Sequence, residues 1–453
     1  MEHDLSPFVP NALERAVPRY TSYPTAPHFR DGFEPDLYAR WLTEIGKDKP
    51  LSLYLHIPFC DELCWFCACR TQGTRRYAAV SRYLDALEVE IRLVAATLGG
   101  ERPISHMHWG GGSPTVMQPD DICRLSALMR KQFPGVASAE FAVEIDPRDM
   151  TEERLDALMA AGMTRASIGV QDFDEDVQRA IGRMQGQALT ADVMRGLRAR
   201  GIDSINIDLL YGLPRQTEAS LARTIEQVVE LAPDRLALFG YAHVPWMAKR
   251  QRMIDGADLP GLDARRAQSD LARRLLARAG YHAIGIDHFA KPSDGLAVAA
   301  TEGRLRRNFQ GYTVEDAEVL IGLGASAIGS LPQGYVQNEP STADYQRSVQ
   351  AGRLPVRRGI SLSLDDRMRR DAIKGILCDF ALDIEGLEST YGDFSCPAAA
   401  TAKRLLTSAP DGALEPWKRG FRIAPAWRGH ARLIAAEFDV YLSRGQARHS
   451  VAL

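Results

Sequence analysis

The sequence predicts an α/β protein built on a parallel sheet. Two observations carry this. Between residues 51 and 241, short apolar or β-branched runs alternate with stretches of helical periodicity, and the polar or glycine-rich residues stand directly after those runs.

In chain order, the runs at 51–57, 104–109, 139–145, 166–171, 203–210 and 235–241 read as buried strands. The stretches at 80–98, 119–133, 151–161, 173–181, 189–200 and 217–231 read as helices, with Thr151 and Asp174 as N-cap candidates. Alternation of this kind places the helices outside a parallel sheet. Periodicity alone allows either an open doubly wound sheet or a partial (β/α) barrel, and both place their site at the C-terminal strand ends. There the chain carries Cys60, Gly110 to Ser113, Glu144, Asp146, Gln171 and Asp208.

Residues 1–40 hold several prolines and the run Arg19-Tyr20-Thr21-Ser22-Tyr23-Pro24, and are expected to form an arm packed on the main domain, 41–352. The alternation fades after about residue 350, so 353–453 is expected to be a largely helical C-terminal domain with a helix from Asp365 to Cys378 and a short hairpin near Gly420 to Ile423.

Of the 453 residues 45% are apolar and 25% charged, with a formal net charge of -3. That balance provides no general attraction to nucleic acid or acidic membrane and favours a small-molecule substrate. The start, Met1-Glu2-His3-Asp4-Leu5, lacks the basic and apolar regions of a signal peptide, and no stretch approaches the roughly 20 apolar residues of a membrane span. A cytoplasmic protein is expected. Four of the seven cysteines fall between Cys60 and Cys69, a pattern of metal binding in a reducing compartment and not of a disulfide framework.

That cluster reads CxxxCxxC through Cys60, Cys64 and Cys67, followed by Cys69. Three thiolates on one short loop can ligate three irons of a four-iron cluster and leave the fourth open to a small molecule. The alternative is structural zinc on all four cysteines, although zinc ligands usually come as two separated pairs. Cys123, Cys378 and Cys396 are expected to be core residues.

CxxxCxxC directly after the first strand of a βα array resembles the radical S-adenosylmethionine superfamily. The further motifs Tyr54 to Cys60, Cys69, His108 to Thr115, Gly169 to Phe173, Asn206 to Pro214, Arg307 to Thr313, the arm run and Arg369-Arg370-Asp371 resemble the oxygen-independent coproporphyrinogen III oxidases over nearly the whole chain. The resemblance implies a partial (β/α)6 barrel and an oxidoreductase that holds a [4Fe-4S] cluster on Cys60, Cys64 and Cys67. It implies cofactor contacts at Tyr54, Phe66, Gly111, Gly112, Ser113, Glu144, Gln171, Arg183, Asp208, Ala242 and Ile328, most of the last five belonging to a second S-adenosylmethionine beside the first. The family usually has threonine where Ser113 stands, a change that keeps the hydroxyl.

By the same resemblance, a 5′-deoxyadenosyl radical takes a β-hydrogen from a propionate. Two such rounds convert coproporphyrinogen III to protoporphyrinogen IX in haem biosynthesis, with Cys69 as a catalytic residue. Partners implied or expected are coproporphyrinogen III and an electron donor such as flavodoxin or ferredoxin, for a monomer with no nucleic-acid partner. Because the substrate carries four propionates, Arg306, Arg307, Arg369 and Arg370 are candidate cations by composition. The competing reading is a haem chaperone of the same superfamily, whose members lack the cysteine matching Cys69 and the arm run.

Overall fold

The computed structural model describes residues 15–442. The first strand, β1 (Leu51–Ile57), leads through the cysteine loop to α1 (Tyr77–Leu98). The alternation continues with β2 (Ile104–Gly111), α2 (Pro119–Gln132), β3 (Glu140–Ile145), α3 (Glu152–Ala160) and β4 (Arg165–Gln171). Then come α4 (Glu175–Ile181), α5 (Gln187–Ala199), β5 (Ser204–Tyr211), α6 (Glu218–Leu231) and β6 (Arg235–Gly240). Thr151 and Asp174 cap α3 and α4 by accepting backbone N–H groups, and Thr217 caps α6 in a reciprocal box with Ser220.

Strands β1 to β6 lie side by side in chain order, all parallel. A doubly wound sheet reverses its order at a switch point; this one does not, which is the order of a barrel wall. The wall is extended at both edges. After α7 (Leu262–Arg278), β7 (His282–Ile284) and β8 (His288–Ala290) add antiparallel beyond β6. A hairpin of β9 (Arg306–Asn308) and β10 (Gly311–Thr313) follows, and β11 (Val319–Leu323) then adds parallel to β1. Strands β12 (Ile328–Leu331), β13 (Gly334–Asn338) and, beyond α8 (Thr342–Gln350), β14 (Val356–Ser361) continue antiparallel. With Arg30–Asp31 on its outer edge the sheet has 13 strands, a partial (β/α)6 barrel with antiparallel extensions. The sheet therefore runs through Ser361, and the helical part begins with α9 (Leu364–Cys378).

The period-2 pattern of the strands separates two faces. Leu51, Leu53, Leu55 and Ile57 are fully buried against the helices, where Val80, Leu84, Leu87, Ile91 and Val94 of α1 form a stripe at spacings of three and four. Each such side chain contributes about 2 kcal/mol on burial. The alternate residues face inward, and they are polar: His106 and His108, Glu140 and Glu144, Arg165 and Ser167, Asn206 and Asp208. Barrel interiors are ordinarily filled with branched apolar side chains. An interior of hydrogen-bonding groups is a site.

A second apolar core joins α9, through Met368, Ile373, Ile376 and Leu377, to Val17, Tyr20 and Tyr23 of the arm. The arm is held on both sides: Arg19 Nη2 donates to Gly240 O at 2.6 Å, and Tyr20 Oη donates to Asp439 Oδ2 at 3.0 Å. The hairpin near residue 420 belongs to a three-stranded sheet formed by 381–382, 414–417 and 420–423.

Candidate active site

The cysteine loop is pinned at both ends. Phe59 and Cys60 pair with Gln72 and Gly73, and between them Trp65 N donates to Ile181 O at 2.8 Å while Arg250 donates to Thr71 O at 2.7 Å and its Oγ1 at 2.8 Å. Fully buried Gln251 donates to Phe66 O at 2.7 Å and Ala242 O at 3.1 Å, joining the loop to the segment after β6. The loop's shape is thus imposed by neighbouring elements and not by its own few backbone bonds.

Cys60, Cys64, Cys67 and Cys69 all border one cavity of about 390 Å³ inside the barrel mouth. Among the described residues no three His, Cys, Asp or Glu side chains gather around a point as single-ion ligands do. Three free thiols bordering one cavity suit a body that bridges several irons. Cations surround them: Arg148 Nη2 and Arg183 Nη1 each approach Cys64 Sγ at 3.4 Å. Both arginines also bond Asp146, at 2.7 and 3.0 Å, which fixes their direction. The hydrogen bond from Cys69, with Arg250 and Arg183 near, holds the Cys67 thiol below its ordinary range.

Gly111, Gly112, Glu144, Gln171, Arg183, Asp208 and Phe66 line the same cavity. Glu144 Oε2 accepts the Gly111 N–H at 3.0 Å and Oε1 lies 3.1 Å from His108 Nε2. Against the cost of burial, these partners hold the carboxyl below its usual range. Asp208 behaves oppositely: burial, reinforced by the Glu144 charge, pushes it up to about 6 despite the Asn206 hydrogen bond. Gln171 sits in the left-handed region at φ 73°, where a non-glycine residue is strained, at an irregularity of the β4–β5 pairing.

The glycines have an internal reason first. A Cβ on Gly110 would meet Glu144 Oε1 at 2.5 Å, on Gly111 the His56 ring at 2.5 Å, and on Gly112 the Phe59 carbonyl oxygen at 2.4 Å. Side chains there would displace the carboxylate and the start of the cysteine loop.

Other sequence candidates stand outside this wall. Tyr54 donates to or accepts from His56 Nδ1 at 3.0 Å, with its ring 5.7 Å from that of His108. The Ser113 hydroxyl is buried 2.6 Å from Thr115 Oγ1. Ile328 packs on the Phe29 and Tyr335 cluster. Arg307 reaches Arg19 O at 3.2 Å and lies over the Tyr312 ring, and Arg369 bonds Asp365 at 2.8 Å and Phe438 O at 3.1 Å, so both join parts of the fold. Asp146, at a strand end, was placed at the site by pattern; Arg148, Arg250 and Gln251 are site residues that pattern reading did not single out.

The residues fit a cluster and a cofactor with anionic and sugar groups. Three thiols are free, a carboxylate is held ready, and the buried Nε of Arg183 has no hydrogen-bond partner. A partial barrel with this loop at its mouth defines a radical S-adenosylmethionine protein, and the profile of the Radical SAM superfamily matches residues 54–228. Similarity extends far beyond that segment. An oxygen-independent coproporphyrinogen III oxidase of Bradyrhizobium diazoefficiens is 47% identical over 440 residues, covering 97% of this chain and 98% of the relative. One from Escherichia coli K12 is 42% identical over 432 residues, covering 95% and 94%. The solved structure of the E. coli coproporphyrinogen III oxidase, a radical S-adenosylmethionine enzyme, superposes with a TM-score of 0.89 at 40% identity, covering 94% of this chain and all of that one. The chain belongs to the oxygen-independent coproporphyrinogen III oxidase family, whose cofactors are a [4Fe-4S] cluster and S-adenosylmethionine.

Proposed function

We propose that this protein decarboxylates two propionate side chains of coproporphyrinogen III to vinyl groups without oxygen, giving protoporphyrinogen IX. The observation that carries the reading is the meeting of Cys60, Cys64, Cys67, Cys69 and Glu144 in one polar cavity, in a chain alike to these oxidases over nearly its full length. When bound, the cluster and S-adenosylmethionine supply abstraction of a hydrogen atom from the propionate β-carbon.

The chain's own residues bind and orient. Cys60, Cys64 and Cys67 hold the cluster, and Arg148 and Arg183 place positive charge beside it. The Glu144 carboxylate accepts hydrogen bonds from the cofactor's ribose, an acceptor role its geometry leaves open on the cavity side. Gly111 and Gly112 let the backbone stand close to the cofactor's amino-acid end. Gln171, Arg183, Asp208, Ala242 and Ile328 contact S-adenosylmethionine in this reading, most of them a second molecule beside the first, and the first three border the cavity. Cys69 presents its thiol to cofactor and substrate.

No helix among the described residues is long and apolar enough to cross a membrane. We further propose a cytoplasmic monomer, reduced by a donor such as flavodoxin or ferredoxin. Anaerobic turnover of coproporphyrinogen III with product analysis tests the function. Protoporphyrinogen IX with methionine and 5′-deoxyadenosine supports it, and absence of vinyl products from cluster-loaded protein defeats it.

A further inference from the structure

A second cavity, of about 730 Å³, adjoins the first, and Asn308, Thr313 and Glu315, in and just after the β9–β10 hairpin, border both. Its other walls are the arm at Tyr20 to Tyr23 and helix α9. The volume is that of a small-molecule site.

Its cations are gathered on one wall: Arg367 and Arg370 are half-buried, and Lys374 and Arg306 are exposed. Arg367, Arg370 and Lys374 stand three and four residues apart on α9, so they form one stripe, and all three border the cavity together with Arg306 of the hairpin. Like charges at that spacing oppose helix formation, so the stripe has no benefit to the fold by itself. Arg370 has Asp371 and the Tyr335 hydroxyl as partners, but the other two members lack them. Among the described residues no side-chain hydrogen bond or ion pair reaches Lys374 or Arg367, and the Arg367 Nε is buried as well. Burial, then the neighbouring Arg370, lowers the Lys374 pKa. Among the described residues the Arg306 side chain donates to Leu305 O alone, at 3.1 Å.

Acids border the same cavity. Asp371 lies 3.3 Å from Arg370 Nε and also accepts from Tyr391 Oη. Burial pushes Glu315 up to about 7, and Asn308 donates to it at 3.2 Å. Asp316, Glu318 and Asp379 are exposed. What remains is a set of guanidinium and ammonium groups bordering one cavity, an arrangement suited to carboxylates.

We propose that this cavity binds the propionate carboxylates that the reaction leaves unconverted, with Lys374 and Arg370 as their principal partners. The inference rests on the substrate reading above. A tetracarboxylate needs cations for the chains that are kept as well as space for those that react. The cysteine cavity contains the reactive groups, and the hairpin between the cavities is where the macrocycle crosses. The two cavities thereby divide the substrate into a reacting side and a held side.

The test is anaerobic fluorescence titration of cluster-loaded protein with two unreactive ligands. Coproporphyrin III carries four propionates; mesoporphyrin IX carries two, with ethyl groups where the vinyls would form. Lys374→Gln with Arg370→Gln should weaken both ligands to a similar degree, by about tenfold or more, since each charge-assisted bond is worth roughly 1.5–3 kcal/mol. S-adenosylmethionine affinity and the cluster spectrum should not change, which shows that the variant is folded, and Lys374→Arg alone should keep most of the affinity. During turnover the double variant should release more of the once-decarboxylated, three-propionate intermediate. Unchanged binding of both porphyrins overturns the proposal, as does weakened coproporphyrin binding with mesoporphyrin unaffected. Wild-type protein that neither binds coproporphyrin III nor forms vinyl product would instead remove the substrate reading on which the proposal stands.

Discussion

Glu144 accepts the Gly111 N–H at 3.0 Å, so the glycine segment and the carboxylate are one positioned unit. The carboxylate is aimed before any cofactor arrives. Glu144→Ala should weaken S-adenosylmethionine binding by about 10- to 100-fold, the worth of one or two hydrogen bonds to a charged group, while cluster content stays at the wild-type level. Calorimetric titration against wild type measures this, and equal affinities would show that Glu144 does not touch the cofactor.

Gly112 tests the link between the glycines and the cysteine loop. Gly112→Ala places a methyl group 2.4 Å from the Phe59 carbonyl oxygen, immediately before Cys60. Overpacking of this kind costs about 1–3 kcal/mol. The apparent Tm should fall by several degrees and iron content should drop with it, as followed by thermal scans and iron assay. Retention of both would mean that the loop yields without cost.

The cysteines should divide into two groups. Serine at Cys60, Cys64 or Cys67 should remove most of the iron from anaerobically purified protein, whereas Cys69→Ser should keep iron and cluster spectrum and lose most decarboxylation. A fourth thiolate on the cluster would occupy the iron that S-adenosylmethionine needs. Iron loss in Cys69→Ser, or full activity, would assign that thiol elsewhere.

Glu90, buried in α1, accepts from Gly324 N, Asn338 Nδ2 and Tyr345 Oη, each at 2.6 Å. Burial outweighs these donors and raises its pKa from 4.5 to about 7. The folded chain then holds a proton that the unfolded chain has released between those values. Its contribution to stability is fully present below the unfolded pKa and is lost as pH rises through about 7. Glu90→Gln removes that titration. Relative to the variant, wild type should therefore lose apparent Tm between pH 5 and 8, by a few degrees; parallel curves would contradict the assignment.

Most of the parallel wall was legible because each strand obeys a local rule. The run at 51–57 alternates buried apolar residues with inward polar ones, and helix ends fell at Thr151 and Asp174, where a side chain can cap. The antiparallel extensions were not legible. Strands such as His282–Ile284 and His288–Ala290 have three residues each, too few to show a period, and they exist through pairing with neighbours already in place. The site divides in the same way. Cysteine spacing and strand-end position pointed to Cys60 to Cys69, Glu144 and Gln171, while Arg250 and Gln251 lie in a polar stretch whose importance comes from contacts with Thr71 and Phe66, some 180 positions earlier. Arg307 and Arg369 resemble Arg306 and Arg370 in composition, yet direction alone makes the first pair structural.

The arm's attachment also sets an order of events during synthesis. Tyr20 bonds Asp439, 419 positions later, and Val440 N donates to the Tyr23 hydroxyl. At ribosomal rates of about 5–20 residues per second, these partners emerge some 20 to 80 seconds after the arm itself. A segment that leaves the ribosome early is thus among the last that can settle, and until then the barrel mouth it borders stands open.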